Sequence, residues 1–351
     1  MPTWSELNRY VTDLPPIDRI PWLVTALTES LEQISQLRGG RNTIFYASAF
    51  LQKPHVHSLT QISAEEINGL MSVMHGMSWD RLTLILHTPG GDVNAAETLG
   101  AYLLSKFPDI EVVIPTYSMS AGTMLSFTAN RIIMGRQSQL GPIDPQIFFG
   151  GGTVSARGVV DEFNRAKSEI LSDVNTAHVW APILPAMGPS LLMEADNALK
   201  YGEGMVARWL AERMFAGRPN AEALGAAVAS HFNDASTHKS HGRRIDRAEA
   251  RSVGVVVEDL EDDQDLQDAV LTAYHVMSIL LGISSLTKVF ITDTGKHWVK
   301  MLSEGVVADE DTEPKQGEDL EPDSDSSPPT PSRPVPRRPA SRHKKRKRRG
   351  R

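Results

Sequence analysis

Apolar positions recur along this chain with two periods, and the switch between them marks out its elements. Ile20, Leu23, Leu27, Leu31 and Ile34 fall at helical spacing and stop at Gly39-Gly40. Residues 43–50 and 82–86 are short apolar runs with β-branched members, as expected of buried strands. After the second run come Pro89-Gly90-Gly91 and then Ala95, Leu99, Leu103 and Phe107 on one helical face, with Pro108 as the stop. Residues 111–115 predict a further strand. It feeds a tight passage at Tyr117-Ser118-Met119 and a helix beginning near Ser120. Ser63 and Glu66 have capping-box spacing, and Met71, Met74 and Met77 follow as core positions. Residues 148–153 are glycine-rich and predict a mobile loop. Helices are expected over 158–179, 191–216, 220–232, 247–252 and 264–281, and a hairpin over 288–301 around Asp293-Thr294-Gly295.

Composition narrows the class. The chain has 351 residues, with 40% hydrophobic and 6% aromatic content, so its core is mostly aliphatic. It contains no cysteine, which excludes disulfides, thiolate catalysis and cysteine-bound zinc. The first residues lack the basic and apolar regions of a signal peptide, and no apolar run approaches the ~20 residues of a membrane span, so a cytoplasmic protein is expected. The net charge of −7 hides an uneven end. Residues 309–325 are acidic, 326–339 proline-rich, and 342–351 carry eight Lys or Arg in ten positions. That composition predicts a disordered tail, either merely solvated or in contact with an anionic partner such as nucleic acid or an acidic surface.

Two successive strand–turn–helix units, one ending in Gly-Gly and the other in Ser-Ala-Gly, suggest an oxyanion hole facing a serine. Acyl transfer needs N–H donors aimed at the developing oxyanion, a nucleophile and a base. Gly90 and Gly91 can supply the first donor. Ser120 is the nucleophile candidate, although serine is also a preferred N-cap. The Ala121 N–H would be a second donor. Ser118 and Ser126 are worse placed. His238 and His241 lie on a polar loop as a His-x-x-His pair without a third ligand, so no metal is expected. His55 and His57 alternate on a loop, and His87 ends a strand as a structural histidine.

HTPGGDVNAAE, YSMSAGT and LGPIDPQ, in this order and spacing, resemble the serine dehydrogenase proteinase family. That group is related to signal peptide peptidase A and the Clp protease proteolytic subunit. The resemblance spans residues 42–259 and implies an α/β ClpP/crotonase-type fold of stacked ββα units. The expected division is a helical N-terminal extension over 1–41, a peptidase domain over 42–305 and the tail over 306–351. It implies peptide-bond hydrolysis by Ser120, with the Gly91 and Ala121 amides as oxyanion hole, on a peptide or protein substrate, in a homo-oligomer without cofactor. Near Asp144 there is no histidine. The signal-peptide-peptidase branch uses a later lysine, and Lys167 is the positional match for a base, with Asp144 able to orient it. His241 is the alternative, in a segment where the family carries a histidine. Thr116, Ser118 and Ala121 depart from the family pattern, which usually has histidine, alanine and glycine there. The other readings are a crotonase-type acyl-CoA enzyme using Glu97 or Asp144, and an inactive scaffold that binds peptide or nucleic acid.

Overall fold

Alternate residues of the central strands divide between two apolar layers, as a sheet covered on both faces requires. The computed structural model describes residues 1–149 and 151–302. Eleven strands occur among them: β1 Asn42–Ser48, β2 Arg81–His87, β3 Asp109–Ile114, β4 Tyr117–Ser118, β5 Arg131–Met134, β6 Gln139–Leu140, β7 Gln146–Phe149, β8 Gly152–Ser155, β9 Val257–Asp259, β10 Leu286–Thr292 and β11 His297–Met301. Seven form one sheet in the order β11-β10-β1-β2-β3-β5-β9. Strands β1, β2, β3, β5 and β9 run parallel, and the β10–β11 hairpin adds an antiparallel edge. Thirteen α-helices surround these strands among the described residues, giving a mixed α/β architecture.

On one face, Ile44, Tyr46, Leu84, Leu86, Val112 and Ile132 pack with the helices Val93–Lys106, Leu184–Glu212 and Ala221–Asn233. On the other, Phe45, Ala47, Ile85, Val113 and Ile133 meet the helices Pro16–Leu37 and Gln264–Ile283. The helical stripe Leu23, Leu27, Leu31 and Ile34 is wholly buried there, so the helix assigned to an N-terminal extension is one layer of this body. Gln264–Ile283 is long and apolar enough to cross a membrane, but its Leu266, Val270, Met277 and Leu280 are buried in the same layer.

Three local expectations change. Of the segment expected as a mobile loop, residues 148, 149, 152 and 153 lie in the paired strands β7 and β8, with Ile147 opposite Val154 and Phe148 opposite Thr153. The Ser63 capping box is half formed. Glu66 accepts from the Ser63 N–H at 3.0 Å, but the Ser63 hydroxyl donates to Glu66 at 2.8 Å instead of capping the helix. The reason is buried Lys288, which pairs with Glu66 and fixes its carboxylate. Of the three methionines, Met74 is buried, whereas Met71 is exposed. The expected tail over 306–351 lies outside the described residues.

The amino ends of the parallel strands are tied by a buried carboxylate. Glu111 accepts from Arg38 at 2.8 and 2.7 Å, Arg131 at 2.7 Å and Thr83 at 2.8 Å. Burial alone would raise its pKa, but the Arg38 hydrogen bonds and the neighbouring arginine charges hold it at about 2. Because the folded value lies below the ordinary 4.5, this pairing stabilises fully above pH 4.5 and is lost as the pH falls toward 2. Glu111→Gln is expected to cost ~3–5 kcal/mol at neutral pH, since the arginines keep their charges without their partner. The variant's stability should also change less with pH across that window. Denaturant unfolding at a series of pH values measures both effects.

Candidate active site

The site lies beyond the carboxyl ends of β2 and β3, where open parallel sheets form their crevices. After β2 the chain turns at Thr88-Pro89-Gly90-Gly91, with φ of 97° at Gly90 and 153° at Gly91. These values favour glycine. A Cβ at Gly90 would lie 2.6 Å from the Met119 oxygen and 2.7 Å from Ser120 Cβ, and one at Gly91 would overlap the Ile62 backbone. Ile62 holds the turn in place: its N–H donates to Gly90 O at 2.8 Å, and the Asp92 N–H donates to its carbonyl at 2.9 Å. Buried Lys288 anchors that segment through the Gln61 carbonyl at 2.8 Å.

Ser120 stands where the chain leaves β4 for the short helix Ala121–Ser126. It is one of two non-glycine residues with positive φ among those described, at φ 52° and ψ −118°. Such a conformation costs ~1–3 kcal/mol and persists only where neighbours enforce it. Here Met119 N–H donates to Thr88 O at 3.1 Å, Gly122 N–H to Met119 O at 2.8 Å and Thr123 Oγ1 to Ser118 O at 2.7 Å. Ser120 occupies the N-cap position, yet its side chain makes no capping hydrogen bond. Its hydroxyl instead donates to His241 Nε2 at 3.1 Å.

The His241 Nδ1–H donates in turn to Asp144 Oδ1 at 2.8 Å. This bond places the proton on Nδ1 and leaves the Nε2 lone pair toward the serine. Asp144 is buried, and its second oxygen accepts from Gln146 Nε2 at 2.7 Å and Ser155 Oγ at 3.3 Å. The loop that carries Asp144 is locked to the loop that carries His241 by two hydrogen bonds between Leu140 and Ile245, each 2.9 Å. Residues 97 positions apart in sequence therefore meet.

Two of the three backbone donors considered remain free. Neither the Gly91 nor the Ala121 N–H has an acceptor among the described residues. Gly90 is a correction to the expected donors, because its N–H is taken by Thr88 Oγ1 at 3.2 Å. Gly90→Ala should lower kcat by ~10²-fold or more, the scale of losing an oxyanion donor, because its Cβ would press on Ser120 Cβ and lie 3.0 Å from the Ala121 nitrogen, the second proposed donor. Steady-state kinetics beside a thermal melt would separate this effect from unfolding.

Lys167 is the larger correction. It is exposed on the helix Ala156–Ser172, whose buried residue at that turn is Ala166, and it does not line the cleft. The helix presents its apolar stripe to Leu191 and Leu199, so its lysine faces away. Ser118 and Ser126 bond to each other at 3.1 Å in the core. His87 is buried, which pushes its pKa down to about 3; its Nδ1 pairs with Thr116 Oγ1 at 2.9 Å, while Nε2 has no partner. Glu97 is engaged by the Tyr201 hydroxyl.

Ser120, His241 and Asp144 open on a cleft of about 880 Å³. Met124, Ile143, Ile147 and Ala198 give it apolar surface, and Gln61, Asp92, Tyr201 and His57 give it polar surface. Sequence reasoning missed Gln146, Ser155 and Ile62 as supports. Gln146 had a signal, since it closes the LGPIDPQ motif; Ser155 and Ile62 had none.

A serine, a histidine and a buried carboxylate in relay beside two free backbone N–H groups form the kind of arrangement that serine hydrolases use. Residues 48–178 match the family model of ClpP-like SDH-type serine proteinases. Two uncharacterized proteins of Methanocaldococcus jannaschii are similar to this chain. One is 36% identical over 87 residues, covering 24% of this chain, and the other 37% identical over 92 residues, covering 26%. Each match spans 30% of the relative's length.

Proposed function

We propose that the protein is a serine peptidase of the ClpP-like type, built on stacked ββα units, in which Ser120, His241 and Asp144 act together. The hydrogen-bonded relay from Ser120 through His241 to buried Asp144 carries this reading. Ser120 Oγ attacks the scissile carbonyl carbon while its proton passes to His241 Nε2. Asp144 holds the ring and stabilises the imidazolium so formed. The carbonyl oxygen takes up the electron pair and is met by the Gly91 and Ala121 N–H groups, which have no other acceptor. His241 then protonates the leaving amine, and water repeats the sequence on the acyl-enzyme. The partly apolar cleft suits an extended peptide with an apolar side chain near the scissile bond. Family resemblance also supports a homo-oligomer as the working form.

A fluorophosphonate probe tests this directly, because it labels only an activated serine. The expected result is labelling at Ser120, blocked by His241→Ala, together with cleavage of an unstructured protein such as casein. Absence of both in a well-folded protein would refute the proposal.

A further inference from the structure

Behind the catalytic histidine lies a second histidine cluster that the relay does not use. His231 lies in the last turn of the helix Ala221–Asn233, His238 ends the short helix Ala235–His238, and Glu249 lies in the helix Arg247–Ser252. One nitrogen of each histidine and a Glu249 oxygen all fall within 4.8 Å of one another. The His238 ring is buried and already oriented: Nε2–H donates to the His231 carbonyl at 2.7 Å, which leaves the Nδ1 lone pair toward the cluster. A backbone carbonyl on the far nitrogen is the usual support of a metal-bound imidazole. His231 Nε2 is buried without a hydrogen-bond partner and lies 3.4 Å from Glu249 Oε1. That spacing matches the edge of about 3.3 Å expected of a tetrahedral ion with ligands at ~2.0–2.1 Å.

A cation already sits beside these atoms. The Arg243 guanidinium donates to Glu249 at 2.6 and 2.9 Å and to His238 Nδ1 at 3.0 Å. We propose that His231, His238 and Glu249 form a binding site for a divalent transition-metal ion such as Zn²⁺, held closed by Arg243 until the ion displaces it. Two imidazoles and one carboxylate favour Zn²⁺ over Mg²⁺ or Ca²⁺, which take oxygen ligands. Arg243 lies two residues beyond His241. Its release would loosen the loop that holds His241 between Ser120 and Asp144, so the bound ion would inhibit. That consequence rests on the peptidase reading; the site itself does not.

The experiment titrates the tag-free, metal-free full chain with Zn²⁺ in competition with a chromogenic chelator, and follows Co²⁺ by its visible absorption. The expected result is one tight equivalent that His231→Gln weakens by at least about tenfold. His241→Ala should retain it. Arg243→Gln should bind about tenfold tighter, because the ion no longer breaks a charge-assisted pair. Circular dichroism melts confirm that each variant is folded. His231→Gln lies away from the catalytic relay and is expected to keep basal hydrolysis while losing inhibition by Zn²⁺. If the tight equivalent survives both His231→Gln and His238→Gln, or disappears with His241→Ala, the site is overturned. Unchanged or weaker binding by Arg243→Gln overturns the displacement. A chain that binds the ion in this pattern but hydrolyses no peptide would leave the site standing and remove the peptidase reading.

Discussion

Ser120→Ala is expected to reduce kcat on casein or a labelled peptide by about 10⁶-fold, the scale of losing an essential serine nucleophile. The substitution deletes the one oxygen that donates to His241 Nε2. It leaves the turn's backbone hydrogen bonds untouched, and alanine at φ 52° is strained no more than serine is. Thermal melting should therefore show little change. Normal turnover by a well-folded Ser120→Ala protein would remove the nucleophile assignment altogether.

His241→Ala should lose activity on the same scale, whereas Lys167→Ala should remain close to wild type in both kcat and KM. Members of such a relay act as a unit, and removing the base costs nearly as much as removing the nucleophile. The two Asp144 hydrogen-bond donors Gln146 and Ser155 would remain, so the carboxylate stays in place without a ring to orient. Lys167 is an exposed helix residue, and truncating one costs no more than about 0.5 kcal/mol of stability. Parallel kinetics on the two variants decide the base. A wild-type-like His241→Ala with an inactive Lys167→Ala would reverse the assignment.

The strands and helices of the central block were legible because each carries its own period. Residues 82–86 proved to lie in β2, and the helix after Gly91 runs as its Ala95, Leu99 and Leu103 stripe requires. The turn glycines were legible for a local reason too: only glycine tolerates the positive φ and the close approach of Met119 and Ile62. Ser120 could be named from its place between a strand exit and Ala-Gly. What could not be read there was its positive φ, which is set by the Met119 N–H bond to Thr88 O and the Thr123 Oγ1 bond to Ser118 O.

The loop over 148–153 was misjudged because glycine content speaks to local freedom, while a hairpin is decided by the partner strand. Lys167 was misjudged for a related reason. Position after a motif gives distance along the chain but not the direction of a helix face, and here the apolar stripe turned the lysine outward.

Element type, the glycine turn and the place of the candidate serine thus follow from local chemistry, since capping, periodicity and glycine geometry act over a few residues. The proposed relay does not. His241 reaches Asp144 and Ser120 only because Leu140 pairs with Ile245, a contact between segments far apart in sequence. Long-range pairing of this kind follows from the packing of the whole sheet and its helices, and no spacing in the chain encodes it. The same packing brings His231 and Glu249 to His238, while His241, its partner in the His-x-x-His spacing, turns to Ser120 and Asp144 instead.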